Sequence, residues 1–282
     1  MKRFPIGVIV DSFRVTPYEA VEKAARVGAQ GMQVYACRGE MAPENLSAQA
    51  RRDYLKHVKD CGLKISALCG DFGYPGFTNA EHNIERVERS KRILELACEL
   101  ETNIVTTHIG VVPEDQTSER FKVMQDACFQ LAEYADSLNA HFAIETGPEV
   151  STTLKAFLDT LHSTGVGVNL DPANLVMVTG DDPAKAVYNL KDYIVHTHAK
   201  DGNMLLVRDP ELVYGPSNPM LGKYPSFEEV PLGEGSVNWV EYLTALEEIG
   251  YDGFLTIERE VGDDPEKDII KAVNFLKGLM DE

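Results

Sequence analysis

The chain has 282 residues, 44% hydrophobic and 26% charged, and its 27 Lys and Arg stand against 45 Asp and Glu, a net charge of −18. That apolar content excludes a disordered chain, and no run approaches the roughly 18 apolar residues of a membrane span. The acidic surplus argues against nucleic-acid or anionic-membrane partners, which are held by Lys and Arg neutralising phosphates. The five cysteines (Cys37, Cys61, Cys69, Cys98, Cys128) are odd in number and form no CxxC pair. They suit reduced thiols in a cytoplasm, and neither a zinc knuckle nor a disulfide framework. At the N-terminus the apolar run of MKRFPIGVIVD is interrupted at Asp11 with no small-residue cleavage site behind it. It reads as a first strand and not as a secretory signal.

In chain order, strand patterns stand at 6–11 (IGVIVD), 31–36 (GMQVYA), 64–70 (KISALCG), 103–110 (NIVTTHIG), 141–147 (HFAIETG), 166–171 (VGVNLD), 193–200 (YIVHTHAK) and 253–260 (GFLTIERE). Between them run helical patterns with apolar residues at i, i+3, i+4 and i+7, such as 17–28, 44–62, 82–101 and 118–139, and a last one at 265–280 closes the chain. Strands alternating with helices imply parallel pairing through right-handed crossovers. Eight such units without a low-complexity linker predict one α/β domain over 1–282, a single (β/α)8 TIM barrel, a fold that takes about 250 residues. The rival is an open doubly wound sheet, but no G-x-G-x-x-G follows the first strand, so dinucleotide binding has no support. The one irregular connection, a Gly-, Pro- and Ser-rich stretch at 202–236, follows the seventh strand. A loop of that length is expected to serve as a lid over a site.

Chemistry in such a barrel sits at the C-terminal ends of the strands. The fourth strand ends at His108, the fifth at Glu145, the sixth at Asp171, the seventh at His196, His198 and Lys200, and the eighth at Glu258 and Glu260. Alternation gives His196, His198 and Lys200 a shared face of their strand, and Glu258 and Glu260 a shared face of theirs. Three carboxylates cannot share a pocket without a cation, because like charges raise one another's pKa or are taken up by a metal. Glu145, Asp171, His198 and Glu258 around one divalent ion leave a charge near −1. Oxygen-rich ligation with one imidazole favours Mn²⁺, Mg²⁺ or Co²⁺, with Zn²⁺ as a further option.

The segments IETGPE (144–149), NLDPANL (169–175), HTHAKD (196–201), PLGEGSVNW (231–239) and TIERE (256–260), in this order and over nearly the whole chain, resemble the xylose-isomerase-like barrel superfamily. Its members include sugar isomerases, tagatose/psicose 3-epimerases, inosose dehydratases and isomerases, and apurinic-site endonucleases. The resemblance to the epimerases implies a metal on Glu145, Asp171, His198 and Glu258, with Glu145 and Glu258 also the acid/base pair on opposite faces of the substrate. It implies an enediolate route, a sugar or cyclitol substrate and a possible homo-oligomer. Two positions depart from the epimerase pattern: Asn174 stands where a His is expected three residues after the metal Asp, and Met204 where an Arg is expected six after the metal His. The wording HTHAKD is closer to the broad sugar-phosphate isomerase/epimerase group and to the inosose enzymes.

The remaining residues have competing assignments. His108 is expected to bind substrate hydroxyls at the mouth. Lys200 is either a substrate contact or a solvated charge. Glu149 and Glu260 are candidates to support the glutamate ligands, Glu149 also for substrate contact, and Glu234 in the GEG turn is placed on the lid within reach of substrate. His196 and Trp239 are assigned to packing, and His57, His82, His141 and His162 to structural or exposed roles. Loss of a hydroxyl from the same enediolate makes a dehydratase, so the metal set alone leaves isomerase, epimerase and dehydratase open. A multi-zinc phosphodiester hydrolase is disfavoured by the seven histidines and the net charge, and a non-catalytic sugar-binding barrel is the remaining alternative.

Overall fold

All eight strand patterns form strands, and they close on one another. The computed structural model describes residues 2–216 and 223–281. Its strands are β1 (Ile6–Ile9), β2 (Gly31–Tyr35), β3 (Lys64–Cys69), β4 (Ile104–Thr107), β5 (His141–Glu145), β6 (Val166–Leu170), β7 (Ile194–Ala199), β8 (Asp201–Met204), β9 (Phe227–Val230) and β10 (Leu255–Ile257). The barrel runs β1-β10-β7-β6-β5-β4-β3-β2, with β8 and β9 apart as a two-stranded sheet. Every barrel pair is parallel, and closure is made by Ile6 opposite Leu255 and Val8 opposite Ile257. The fold is therefore the (β/α)8 barrel, and the open sheet is ruled out.

The helices are α1 (Pro17–Arg26), α2 (Ala48–Asp60), α3 (Ala80–Glu99), α4 (Glu119–Ser137), α5 (Ser151–Leu158), α6 (Pro172–Asn174), α7 (Pro183–Leu190), α8 (Pro210–Val213), α9 (Trp239–Glu248) and α10 (Pro265–Asp281). Their starts are marked by side-chain caps. Ser47, Asn79 and Ser118 accept from the backbone N–H three residues on, at 3.1, 3.0 and 3.2 Å, which satisfies N–H groups that no helical turn can reach. The long helices bury one stripe. On α4 it is Phe121, Met124, Cys128, Leu131 and Ala135, the spacing that lays a helix against a sheet.

The barrel's own centre is polar, where bulky branched residues usually fill it. Gln33, Thr106, Asn169, His196 and Thr256 are buried and bonded in a chain. Gln33 donates to Thr106 Oγ1 (2.9 Å), His196 Nδ1 meets Asn169 Oδ1 (2.8 Å), and His196 Nε2 meets Thr256 Oγ1 (3.0 Å). Buried polar groups are tolerable only when they are bonded in this way. The network fixes the floor beneath the strand ends.

The connection 202–236 is not the irregular loop expected from its composition. β8 and β9 pair antiparallel within it, Asp201 opposite Val230 and Met204 opposite Phe227, and α8 lies between them. Its residues 217–222 fall outside the described residues. Asp201 organises the hairpin. Its buried carboxylate accepts from Gly202 N (2.9 Å), Gly233 N (3.0 Å), Val237 N (3.2 Å) and Trp239 Nε1 (2.9 Å). Hydrogen bonds to a buried charge contribute roughly 1.5–3 kcal/mol each, and unmet donors cost more. Asp201→Ala is therefore expected to lower the unfolding free energy by about 3 kcal/mol or more. The chain's one tryptophan, Trp239, should report it by a red-shifted emission. An unchanged denaturation midpoint would show that the hairpin does not depend on this carboxylate.

Candidate functional site

Four side chains from four strands meet at the C-terminal mouth of the barrel. Glu145 is the last residue of β5, Asp171 follows β6, His198 lies in β7 and Glu258 follows β10. Each offers one ligand atom, and those atoms lie within 4.8 Å of one another. Opposite ligands of an ion with bonds of roughly 2.0–2.6 Å sit at most about 5 Å apart, so the cluster could hold one divalent cation. His198 is its hub. Nδ1 faces Glu258 Oε2 at 3.1 Å, Asp171 Oδ2 at 3.3 Å and Glu145 Oε1 at 3.5 Å, while Nε2 meets Gln33 Oε1 at 3.0 Å. Gln33 accepts the Nε2 proton because its own amide donates to Thr106. That leaves Nδ1 to face the carboxylates, the nitrogen that a metal would take in place of a proton.

Local sequence sets each ligand. In the Asp-Pro-Ala-Asn turn, Asp171 is the cap and Pro172 the first residue of α6, a pairing favoured because the missing proline N–H has no helical partner. Asp171 Oδ1 accepts from Asn174 N at 2.8 Å, and Thr146 Oγ1 accepts from Asp171 N at 2.8 Å. Only Oδ2 is left to face His198. Asn174 donates to Glu145 Oε1 at 3.1 Å, so it orients this glutamate from the position where the epimerase pattern has a histidine. Gly147 sits at φ +138°, and a Cβ there would lie 2.4 Å from Asn174 Cβ and 2.7 Å from the Tyr214 hydroxyl. Glycine lets both close on the site.

Charge is dense and nearly all of it is paired. Asp171 is 0% exposed, Glu145 6% and Glu258 7%. Burial works to raise the pKa of Glu145, but His108 and His198 outweigh it and hold the carboxyl below its ordinary range. For Glu258 burial is likewise outweighed, here by Lys200 and His198. Burial opposes the charge of His198, yet Glu145 and Glu258 push its pKa well up. With the chain's own atoms alone, a proton on Nδ1 supplies the charge that a metal would replace. His196, one pleat deeper, is pushed far below its ordinary value by burial and then by His198. It is a neutral packing and hydrogen-bonding residue, as expected from the sequence.

Glu145, His198 and Glu258 of the cluster line the floor of a cavity of about 280 Å³, with Asp171 buried behind them, and Tyr35, Asp71, His108, Asn174, Met177, Lys200, Tyr214 and Glu260 line it too. That is just under the roughly 300 Å³ at which most small-molecule pockets begin. His108 Nδ1 meets Asp71 Oδ2 at 3.0 Å, and Nε2 has no hydrogen-bond partner among the described residues and lies 3.7 Å from Glu145 Oε1. Burial opposes its charge, but Glu145 and Asp71 push its pKa up to about 10, and with Nδ1 against Asp71 it is Nε2 that is turned toward Glu145. Lys200 is buried and bridges Glu258 Oε2 (3.2 Å) and Glu260 Oε2 (2.7 Å). It is not the solvated strand-end charge that was its alternative reading.

Two sequence assignments do not hold in space. Glu234 is half exposed, pairs with Lys271 and does not line the cavity. The turn that carries it folds back on Asp201 and away from the mouth. Glu149 is buried outside the cavity, where Oε2 accepts from Val112 N at 3.1 Å. It supports a loop backbone and does not contact substrate space. Met204 is also absent from the cavity lining. Sequence reasoning missed Gln33, Asp71, Asn169, Tyr214 and Glu229. The one signal for Gln33 was a lone amide inside the apolar strand GMQVY, and for Asn169 a lone amide in VGVNL. Tyr214 comes from the hairpin, and its ring packs 5.3 Å from that of His108. Glu229 on β9 accepts from Arg259 Nη1 at 2.6 Å and from Glu260 N at 3.1 Å, tying the hairpin to the strand end that carries Glu258.

The fold and site together define a (β/α)8 barrel with an acidic, single-histidine cluster suited to a divalent ion. The chain belongs to the xylose isomerase-like TIM barrel family, whose model matches residues 21–279. An uncharacterized protein, MJ1311, of Methanocaldococcus jannaschii is 24% identical over 280 residues, 93% of this chain and 84% of the relative. Among solved structures, a xylose isomerase domain protein from Planctomyces limnophilus is 27% identical with a TM-score of 0.79, covering 98% of this chain and 96% of that one. A probable 3-DHS dehydratase, AsbF, from Bacillus anthracis is 20% identical with a TM-score of 0.76 over 97% and 99% of the two chains. A D-tagatose 3-epimerase-like protein is 21% identical with a TM-score of 0.75 over 99% and 97%. At those lower identities the likeness is one of fold.

Glu149 generates a pH prediction that is separate from the acidic cluster. Burial pushes its pKa up to about 8, against which the Val112 N–H and His108 act only weakly. Between the ordinary value of 4.5 and about 8 the native state binds more protons than the unfolded one, so stability falls as pH rises. The slope from this group is at most about 1.4 kcal/mol per pH unit. Glu149→Gln is expected to flatten urea-denaturation stability across that window. An unaltered slope in the variant would show that Glu149 is ionised in the folded protein.

Proposed function

We propose that the protein is a divalent-metal-dependent isomerase or epimerase that moves a proton on a sugar or cyclitol carbon beside a carbonyl. The observation that carries this reading is the convergence of Glu145 and Glu258, from β5 and β10, with Asp171 on one imidazole nitrogen of His198 at the floor of a small polar cavity. The donor set suits Mn²⁺, Mg²⁺ or Co²⁺, with Zn²⁺ also compatible. When bound by Glu145, Asp171, His198 and Glu258, such an ion supplies Lewis-acid polarisation of a carbonyl oxygen.

The chain's own residues provide the proton transfers. Glu145 and Glu258 act from opposite sides of the substrate carbon, one removing the proton and the other returning it as its conjugate acid. Each has a cationic neighbour that stabilises its ionised form, His108 at 3.7 Å from Glu145 and Lys200 at 3.2 Å from Glu258. The unpartnered Nε2–H of His108 is placed to donate to a substrate hydroxyl, and Lys200 to donate to a second polar group. Tyr214 on the hairpin roofs the cavity and limits water entry. A His-rich phosphodiesterase site is disfavoured by the cluster's single imidazole. The free cysteines among the described residues fit a reducing, cytoplasmic setting.

Protein purified without chelator is expected to carry about one divalent ion per chain, because one cluster of four candidate ligands stands among the described residues. A metal-free preparation with full activity would remove the ion from the reaction. Glu145→Gln and Glu258→Gln are each expected to slow exchange of substrate C–H for solvent deuterium by about 10²–10⁴-fold, with the circular dichroism spectrum retained. The assay is a panel of ketoses, aldoses and inososes in heavy water, read by NMR. Near-normal exchange in either variant would exclude that glutamate as acid or base. A dehydrated product would move the assignment to a dehydratase, and metal and sugar binding without exchange would make the barrel a binding protein.

A further inference from the structure

Beside the cavity lies a second one of about 680 Å³, and Tyr35, Asp71, Gly73, Tyr74 and Glu260 border both. In a chain of net charge −18, this cleft is lined by three arginines, Arg38, Arg86 and Arg89. Arg86 is anchored to neutral partners, Nη1 to Gly73 O at 3.1 Å and Nη2 to Tyr74 O at 3.0 Å. Arg89 donates to Cys37 O at 3.2 Å, and its guanidinium stacks 4.2 Å from the Phe72 ring. Arg38 lies over the Tyr35 ring at 5.1 Å. Among the described residues neither Arg38 nor Arg86 has a carboxylate within 4.0 Å, and Arg89 has only Glu85 at 3.8 Å. Carbonyl anchoring fixes a guanidinium without cancelling its charge, and of its five N–H donors three remain for a ligand. The two carboxylates on the shared border are already taken, Asp71 by His108 and Glu260 by Lys200.

We infer that this arginine cleft holds an anionic end group of the substrate, a phosphate or a carboxylate, while the carbonyl end lies over Glu145, Asp171, His198 and Glu258. The inference deepens the proposed function and rests on it for the identity of the bound molecule as substrate. The anion site itself stands on the arginines alone. Bidentate guanidinium contacts suit phosphate and carboxylate geometry, and the stacked rings hold the guanidinium planes in place.

The test uses the full chain after chelation, so that metal plays no part, with inorganic phosphate as probe and ³¹P NMR line broadening or calorimetry as readout. Wild type is expected to bind phosphate, and Arg86→Gln to weaken binding about tenfold. Arg86 also anchors the 73–74 backbone, so Arg38→Gln, which removes no side-chain hydrogen bond among the described residues, is the second variant and is expected to act in the same direction. Arg26→Gln, on the opposite end of the barrel, controls for net charge and is expected to change nothing. Failure of wild type to bind, binding that survives both cleft variants, or equal weakening in Arg26→Gln overturns the inference. Acetate binding as tightly as phosphate identifies a carboxylate end group, and phosphate preference a phosphate ester. In parallel, a ketohexose and its 6-phosphate are compared for deuterium exchange. A cleft that binds phosphate in a protein that exchanges no sugar proton leaves the anion site standing and removes the isomerase reading.

Discussion

Three carboxylates that face one imidazole nitrogen at 3.1–3.5 Å cannot all stay ionised unless positive charge sits among them, and the mouth of the barrel is arranged around that requirement. Lys200 and His108 flank the cluster, and His198 completes it either with a proton or with a metal in its place. Neighbouring polar groups hold the side chains of the cluster in place. Gln33 fixes the imidazole, Asn174 turns Glu145, and the α6 cap leaves Asp171 one free oxygen. Without these supports the carboxylates would turn outward to water, where each is more easily solvated.

The same constraint reaches the hairpin. Glu229 brings a further carboxylate toward Lys200, at 3.9 Å, and is itself held by Arg259. The hairpin is therefore tied to the strand end that bears Glu258 by charge, and to the start of α9 by the buried carboxylate of Asp201. A Cβ on Gly202 would lie 2.2 Å from Met177 Sδ, so glycine there lets β8 lie against the turn that follows α6. Closure over the cavity and order in the cluster share residues, and this couples roofing of the site to its chemistry.

Much of this was legible in the chain. The eight strands and their order followed from alternation of apolar runs with helical stripes, a signal that depends only on periodicity. Glu145, Asp171, His198 and Glu258 stood out because each ends an apolar strand with a charge. The antiparallel pair within 202–236 was not legible. Its strands are short and half exposed, its composition is that of a loop, and it exists because Asp201 and the turn after α6 hold it. Glu149 and Glu234 were misplaced for a related reason. Both stand near motif residues in sequence, but turns direct one into a loop backbone and the other toward Lys271.

The sequence by itself determined the barrel, the acidic character of its mouth and the four strand-end side chains that meet there, because patterning and strand-end position are local properties. Only the tertiary structure decided which charges neutralise one another, which nitrogen of His198 faces the carboxylates, and that Arg38, Arg86 and Arg89 border the same opening. Those are distances between residues far apart in the chain, and electrostatic energy depends on distance and burial, which a one-dimensional pattern does not carry.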